Sequence, residues 1–326
     1  MVIIPYRKIF YSQADHISMK NKQMLGNLLL ILTALIWGMA FAFQRKGMES
    51  IEPLTFTAVR MGLAAVVIGA AALISRNREK RNSPERDPEA ERIRNKNSLI
   101  GGVCCGIFLA AASISQQIGM VSTSAGKSGF ITAMYILLVP IINFVLFRKK
   151  NSLLVWIAVL ISVAGMYLLC MTEGFRLAHG DMLLFLCAVM FSGQILCCDH
   201  FVQLGDPLQI SAIQILTTSA ISAIAAFLME DPSWDQVRSA AIPILYCGIM
   251  SGGVGYTLQM VAQKFTDPTI ASLLMSLESV FAVLGGAILL HERMTSRELL
   301  GCAVMFAAII LVQLPAGRGS ENQKQA

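Results

Sequence analysis

The spacing of charge along the chain is what most narrows how it can fold. Charged residues make up 14% of the 326 residues against 55% hydrophobic, and they are clustered. Uncharged runs occupy 23–44, 97–126, 128–147, 151–172, 182–198, 207–229, 239–263 and 299–317. Two more, 53–75 and 268–291, are each broken by a single charge, Arg60 and Glu278. Each run is close to the roughly 20 residues with which an α-helix crosses about 30 Å of hydrocarbon. Barrel strands would be half as long and would alternate polar with apolar. A soluble domain carries about 25% charged residues, so a single soluble core would lack polar cover. The pattern predicts an all-α integral membrane protein with ten transmembrane helices.

Charge outside the runs sets an orientation. With the N-terminus inside, 18 of the 25 basic residues outside the spans fall on one face and 7 on the other, which places both termini in the cytoplasm by the positive-inside rule. The net charge of +6 is thus a topology signal rather than a nucleic-acid surface. The segment 75–97, with eight basic and five acidic residues, reads as a solvated anchor, partly helical near its end. Residues 1–24 and 315–326 read as cytoplasmic tails. No apolar signal-peptide stretch occurs in residues 1–18. Met19-Lys20-Asn21-Lys22 ahead of the first run reads as the translation start, which leaves residues 1–18 either unstructured or not part of the native protein. An intact Met1 in the mass of the native protein would contradict this. The eight cysteines lie inside apolar stretches, where reduced thiols act as small hydrophobes.

The chain repeats itself. Gly26-Asn-Leu-Leu-Leu aligns with Gly180-Asp-Met-Leu-Leu at an offset of 154, which also pairs Ala34 with Ala188 and Pro53 with Pro207. Cys105-Gly106-Ile107 aligns with Cys247-Gly248-Ile249 at an offset of 142, which pairs Gln117 with Gln259. The fall of 12 fits an insertion of the basic segment 75–97. Two repeats, 25–170 and 179–314, would each hold five spans. An odd number inverts the second in the bilayer, as in carriers that work by alternating access around a midplane site.

Several stretches resemble the EamA-type permeases of the drug/metabolite transporter superfamily. They are Leu-Thr-Ala-Leu-Ile-Trp-Gly (32–38), Pro53 with Arg60, TSAGKSGFITAMYILLVP (123–140), SLLMSLESVFAVLGGAILLHE (272–292) and Leu300-Gly301-Cys-Ala. The resemblance implies a ten-helix carrier of small metabolites, often amino acids or their derivatives and often exported. It implies a central cavity lined by spans 1, 3, 4, 6, 8 and 9. Two departures stand out. Glu278 is followed by Ser279 where the family usually has proline, and the first repeat ends in Arg148-Lys149-Lys150 without the usual acid.

An ionisable residue inside a span costs about 2.5–3.5 kcal/mol on insertion scales and is read first as functional. Glu278, near the middle of its run, is either a carboxylate carrying a proton or cation, or a structural acid tying span nine to a neighbour. Arg60 is either structural or paired with Glu278 or a substrate carboxylate. Its repeat counterpart is the neutral Gln214. Gln116, Gln117, Gln194 and Gln259 read as cavity amides or as interhelical hydrogen bonds, and Asn143 as structural. Trp37 is a stacking surface or a belt residue; Tyr135 and Tyr256 are cavity liners. Lys127 and His291-Glu292-Arg293 read as boundary residues. Ser251-Gly-Gly-Val-Gly255 has no phosphate-loop context and reads as close helix contact or a gating point. Histidines and cysteines show no metal-ligand spacing, and no cofactor is expected. With one deep acid and no mid-span histidine, enzymatic chemistry is disfavoured.

The expected function is a permease in the cell inner (plasma) membrane that moves a small organic solute, an amino acid or derivative, outward, either coupled to protons or as a uniport, with a monomer sufficient. The partners are the substrate and the lipid bilayer, with no nucleic acid. The alternatives are a non-transporting receptor and an intramembrane enzyme.

Overall fold

A computed structural model of the chain describes residues 13–82, 87–122, 125–170, 179–289 and 295–313. Among them the chain is helical throughout: α1 (Gln13–Gly47), α2 (Pro53–Asn82), α3 (Pro88–Val121), α4 (Ala125–Thr132), α5 (Tyr135–Phe147), α6 (Leu153–Cys170), α7 (His179–Phe201) and α8 (Pro207–Met229) lead to a short α9 (Trp234–Ser239). Then come α10 (Ala241–Leu245), a π-helical stretch over Tyr246–Gly255, α11 (Tyr256–Gln263), α12 (Pro268–Met275), α13 (Glu278–Leu289) and α14 (Ser296–Gln313).

Helices occupy all ten of the low-charge runs. Among the described residues eight stretches are long and apolar enough to cross a membrane: Asn21–Gly47, Pro53–Glu79, Pro88–Val121, Ser128–Phe147, His179–Phe201, Pro207–Met229, Ala241–Gln263 and Pro268–Gly285. They account for eight of the ten expected spans. The apolar part of α6, Leu153–Leu168, is shorter, and α14 lies along it. Val66, Leu73, Leu160, Leu216 and Ile310 are more than half exposed. Apolar surface of this kind marks a multi-pass membrane protein, whose outer face a bilayer covers.

Two local expectations change. α1 begins at Gln13, so residues 13–18 are helical rather than an unstructured lead-in to Met19; residues 1–12 lie outside the described residues. The basic segment 75–97 is mainly two helical extensions. α3 starts at Pro88, whose missing N–H is harmless at a first helical position. Asp87 accepts from the Glu89 N–H at 3.0 Å, and Glu89 and Glu91 face the positive end of the helix. Arg94 then grips Glu79 of α2 through two bonds of 3.2 and 3.0 Å.

Helix contacts follow the two sequence offsets. A Cβ built on Gly106 of α3 would stand 2.8 Å from the Gln214 carbonyl oxygen and 2.6 Å from the Thr217 Cβ. A Cβ on Gly248 would stand 2.9 Å from the Arg60 carbonyl oxygen and 2.9 Å from Leu63 Cδ2. Gly106 maps to Gly248 at 142, and Gln214 and Thr217 map to Arg60 and Leu63 at 154. The two contacts are therefore equivalent.

α2 and α8 run antiparallel between these contacts. At one end Glu230 closes α8 and accepts the Leu54 and Thr55 N–H groups at 2.8 and 2.7 Å, with the Thr55 hydroxyl at 2.7 Å. It thereby caps the first turn of α2 with a carboxylate from the other half. At the opposite end Asp206 caps α8 by accepting the Gln209 N–H at 2.9 Å, and its own N–H donates to Ser98 of α3 at 2.9 Å. These are called the α1–α2 end and the α7–α8 end below.

Candidate functional site

Two of the helical runs are interrupted. The chain turns at Ala133–Met134 between α4 and α5, and at Ser276–Leu277 between α12 and α13. At both turns N–H groups reach three residues back instead of four. Met134 donates to Ile131 at 3.2 Å and Ile136 to Ala133 at 3.0 Å; Leu277 donates to Leu274 at 3.3 Å and Ser279 to Ser276 at 3.1 Å. Two half-helices restart there, headed by Tyr135 and Glu278, and these residues meet: the Tyr135 hydroxyl donates to Glu278 Oε1 at 2.9 Å. Glu278 is buried in the first turn of α13, where the helix dipole favours negative charge. The break forms although Ser279 replaces the family's proline. The Ser272 and Ser276 hydroxyls donate to the Thr269 and Leu273 carbonyls at 2.8 and 2.7 Å, a back-bonding pattern that bends helices.

Around this contact lies an internal cavity. Trp37, Phe41 and Gln44 reach it from α1, Arg60 from α2, Gln116 from α3 and Tyr135 from α5. Phe191, Gln194 and Ile195 of α7, Ser251, Tyr256 and Gln259 of the π-helical stretch and α11, and Met275 and Glu278 complete the wall. Its free volume is about 30 Å³, room for about two waters. A wider vestibule of about 620 Å³ lies at the α1–α2 end, bounded by Arg45, Glu49, Glu52, Val121 and Gln236 among others.

Within the wall, Trp37 packs on Tyr256 with ring centroids 4.8 Å apart and donates its indole N–H to the Ser251 carbonyl at 3.2 Å. It faces the interior rather than a lipid belt. A Cβ on Gly255 would stand 2.5 Å from the indole nitrogen, and one on Gly252 2.9 Å from the Ala64 Cβ. The Ser251–Gly255 stretch thus serves close helix contact. Gln194 joins three helices: its Nε2 donates to Gln214 Oε1 at 2.9 Å and to Gln259 Oε1 at 3.3 Å, and Gln259 Nε2 returns a bond at 3.1 Å. Arg60 is not paired with Glu278. Its guanidinium lies 5.6 Å from the Phe56 ring centroid, and its Nε has no partner.

Eight of the residues singled out from sequence therefore share one cavity: Glu278, Gln259, Gln116, Gln194, Trp37, Tyr135, Tyr256 and Arg60. Gln117 does not join them. It is fully buried away from the cavity wall, and neither of its amide atoms has a partner. A helix turns 100° per residue, so of the adjacent Gln116 and Gln117 only one can face inward. Asn143 is buried off the cavity with an unpartnered Nδ2. The Lys127 side chain and His291–Arg293 lie outside the described residues. Gln44 was overlooked although it meets the same criterion as the other amides. Phe41, Phe191, Ile195 and Met275 carry no signal that separates them from lipid-facing or core residues. Two cysteines from different helices also meet, with the Cys105 and Cys198 Sγ atoms 3.7 Å apart.

Two equivalent helical halves around a buried polar cavity, inside an apolar shell, have the build of a membrane transporter. The sequence model of the EamA-like transporter family matches residues 24–171 and again 178–314, and the chain belongs to that family. It is 26% identical over 293 residues to an uncharacterized transporter of Archaeoglobus fulgidus, covering 90% of this chain and 87% of the relative. It is 20% identical to the uncharacterized transporter YoaV of Bacillus subtilis, covering 89% and 96%. A solved crystal structure shares the fold with a TM-score of 0.72 at 19% identity, covering 89% of this chain and 96% of the other.

Proposed function

We propose that this transporter is a secondary carrier that moves a small organic metabolite, an amino acid or a derivative of one, outward across the plasma membrane by alternating access. Ten spans in two inverted halves, with both termini cytoplasmic, put the α1–α2 end outside. The carrying observation is the convergence of polar and aromatic side chains from seven different spans on one cavity that includes Arg60 and Glu278. Polar groups buried at that depth are costly unless they serve a solute or a partner. The half-helices starting at Tyr135 and Glu278 fit the discontinuous helices that build carrier sites. Gln116, Gln194, Gln259, Trp37 and Tyr256 line the path of the solute. Glu278 carries the coupling proton, and the Tyr135 hydroxyl holds its carboxylate in place.

Reconstitution into liposomes with a panel of amino acids and metabolites, with and without a pH gradient, tests this reading. Transport should respond to the gradient in the wild type. Glu278→Gln keeps shape and hydrogen bonding but cannot titrate, so its residual flux should be insensitive to pH. A variant that kept the wild-type pH response would remove Glu278 from coupling.

A further inference from the structure

We infer that Arg60 is the anchor for a carboxylate on the transported molecule, so that the cargo is a small solute bearing one carboxylate. This deepens the transport reading and rests on it. Arg60 is 3% exposed and lines the central cavity. No ion pair joins it to any carboxylate among the described residues, its Nε is unpartnered, and its one charge-stabilising contact there is the face of Phe56. A buried cation is expensive unless paired, and arginine cannot escape by losing its proton. The Arg60 side of the cavity is therefore positive when empty and is satisfied when an anion arrives.

Three features narrow the ligand. The fold does not need the cation, because the equivalent position in the other half holds the neutral Gln214, with the same close glycine contact to its backbone. Glu278, the acid that could have neutralised Arg60, is engaged by Tyr135 instead. A planar guanidinium fork matches the two oxygens of a carboxylate. Among the described residues no lysine joins it in the cavity, and Glu278 would repel a second negative charge. The chemistry thus suits a monocarboxylate, with or without an ammonium group for Glu278, over a dianionic phosphate. The Trp37–Tyr256 pair, Phe41 and Phe191 offer apolar wall to the remainder.

The test pairs each acid with its own amide. Purified wild-type protein in proteoliposomes is offered the proteinogenic L-amino acids and small monocarboxylates, each beside its carboxamide, and binding and flux are measured. The acids should exceed their amides by at least about 10-fold, since a hydrogen bond to a charged group accounts for a factor of about 10–100. Arg60→Gln should erase that preference by weakening the acids far more than the amides, and Arg60→Lys should keep part of it. Thermal stability and size-exclusion profiles show whether each variant folds, and the acid–amide contrast in the wild type decides even if Arg60→Gln does not. Equal handling of acids and amides, or unchanged acid affinity in a folded Arg60→Gln, overturns the inference. Flux confined to solutes that lack a carboxylate overturns it and leaves the transport reading standing. No binding and no flux for any probe overturns both.

Discussion

Gln214 and Arg60 hold equivalent places in the two halves, and their surroundings differ. Gln214 accepts from Gln194 of α7, which exchanges two bonds with Gln259 of α11. At the other end the counterparts of Gln194, Gln214 and Gln259 are Ala40, Arg60 and Gln117. Ala40 offers no hydrogen bond, both amide atoms of Gln117 are unpartnered, and Arg60 has no counter-ion among the described residues. Side-chain hydrogen bonds thus stitch the bundle at the α7–α8 end. Among the described residues no matching amide network joins the counterpart positions on the α1–α2 side, where Glu230 ties α8 to the start of α2 instead and the vestibule of about 620 Å³ lies. Yet the backbone contacts of Gly106 and Gly248 are nearly the same on both sides. The halves share their helix-to-helix fit and diverge in the polar side chains near the cavity.

That contrast can be broken or sharpened by substitution. The largest effect is expected where the halves agree. Gly106→Ala and Gly248→Ala each force a methyl against a carbonyl oxygen and a side chain, so each should cost about 1–3 kcal/mol, and by similar amounts. Thermal unfolding in detergent measures both, and a large effect at one with none at the other would break the equivalence. A smaller effect is expected where the halves differ. Gln259→Leu removes a made bond and should destabilise by about 0.6–1.7 kcal/mol. Gln117→Leu replaces an unsatisfied amide with an apolar group and should be neutral or stabilising. The smallest effect is expected at the span-nine break. Ser279→Pro gives up a 3.1 Å backbone bond to Ser276 and a weak 3.9 Å contact of its hydroxyl with Met166 Sδ at a helix start that tolerates proline, a change of about 1 kcal/mol. A collapse of folding there would mean that the break depends on Ser279.

Much of the site was legible because polar groups are rare in apolar spans and each is costly enough to have a purpose. That rule found Arg60, Glu278, Gln116, Gln194 and Gln259 at once, although it passed over Gln44. It could not separate Gln116 from Gln117, because the difference is which side of α3 faces inward, and neighbouring helices set that. Nor could it pair Glu278 with Tyr135. The two lie 143 positions apart, and the plausible electrostatic partner, Arg60, was the wrong one. The interruption of span four left little trace in the sequence, since a break at Ala133–Met134 uses residues that are also at home in a continuous helix. In the segment 75–97 helix was expected only near the end, because high charge reads as solvated chain, but solvated helices are equally charged when they extend beyond the membrane.

The sequence alone determined that the chain is helical, lies in a membrane, and is built as two related halves. Hydrocarbon tolerates few charges and demands internal backbone pairing, so run lengths, lone charges and offsets carry that information locally. Tertiary structure alone decided which amides face the cavity, which partner holds Glu278, and that Arg60 has no counter-ion among the described residues. Those outcomes depend on helix rotation and on contacts between residues far apart in the chain, where the same side chain can be satisfied by several neighbours and the bundle admits only one.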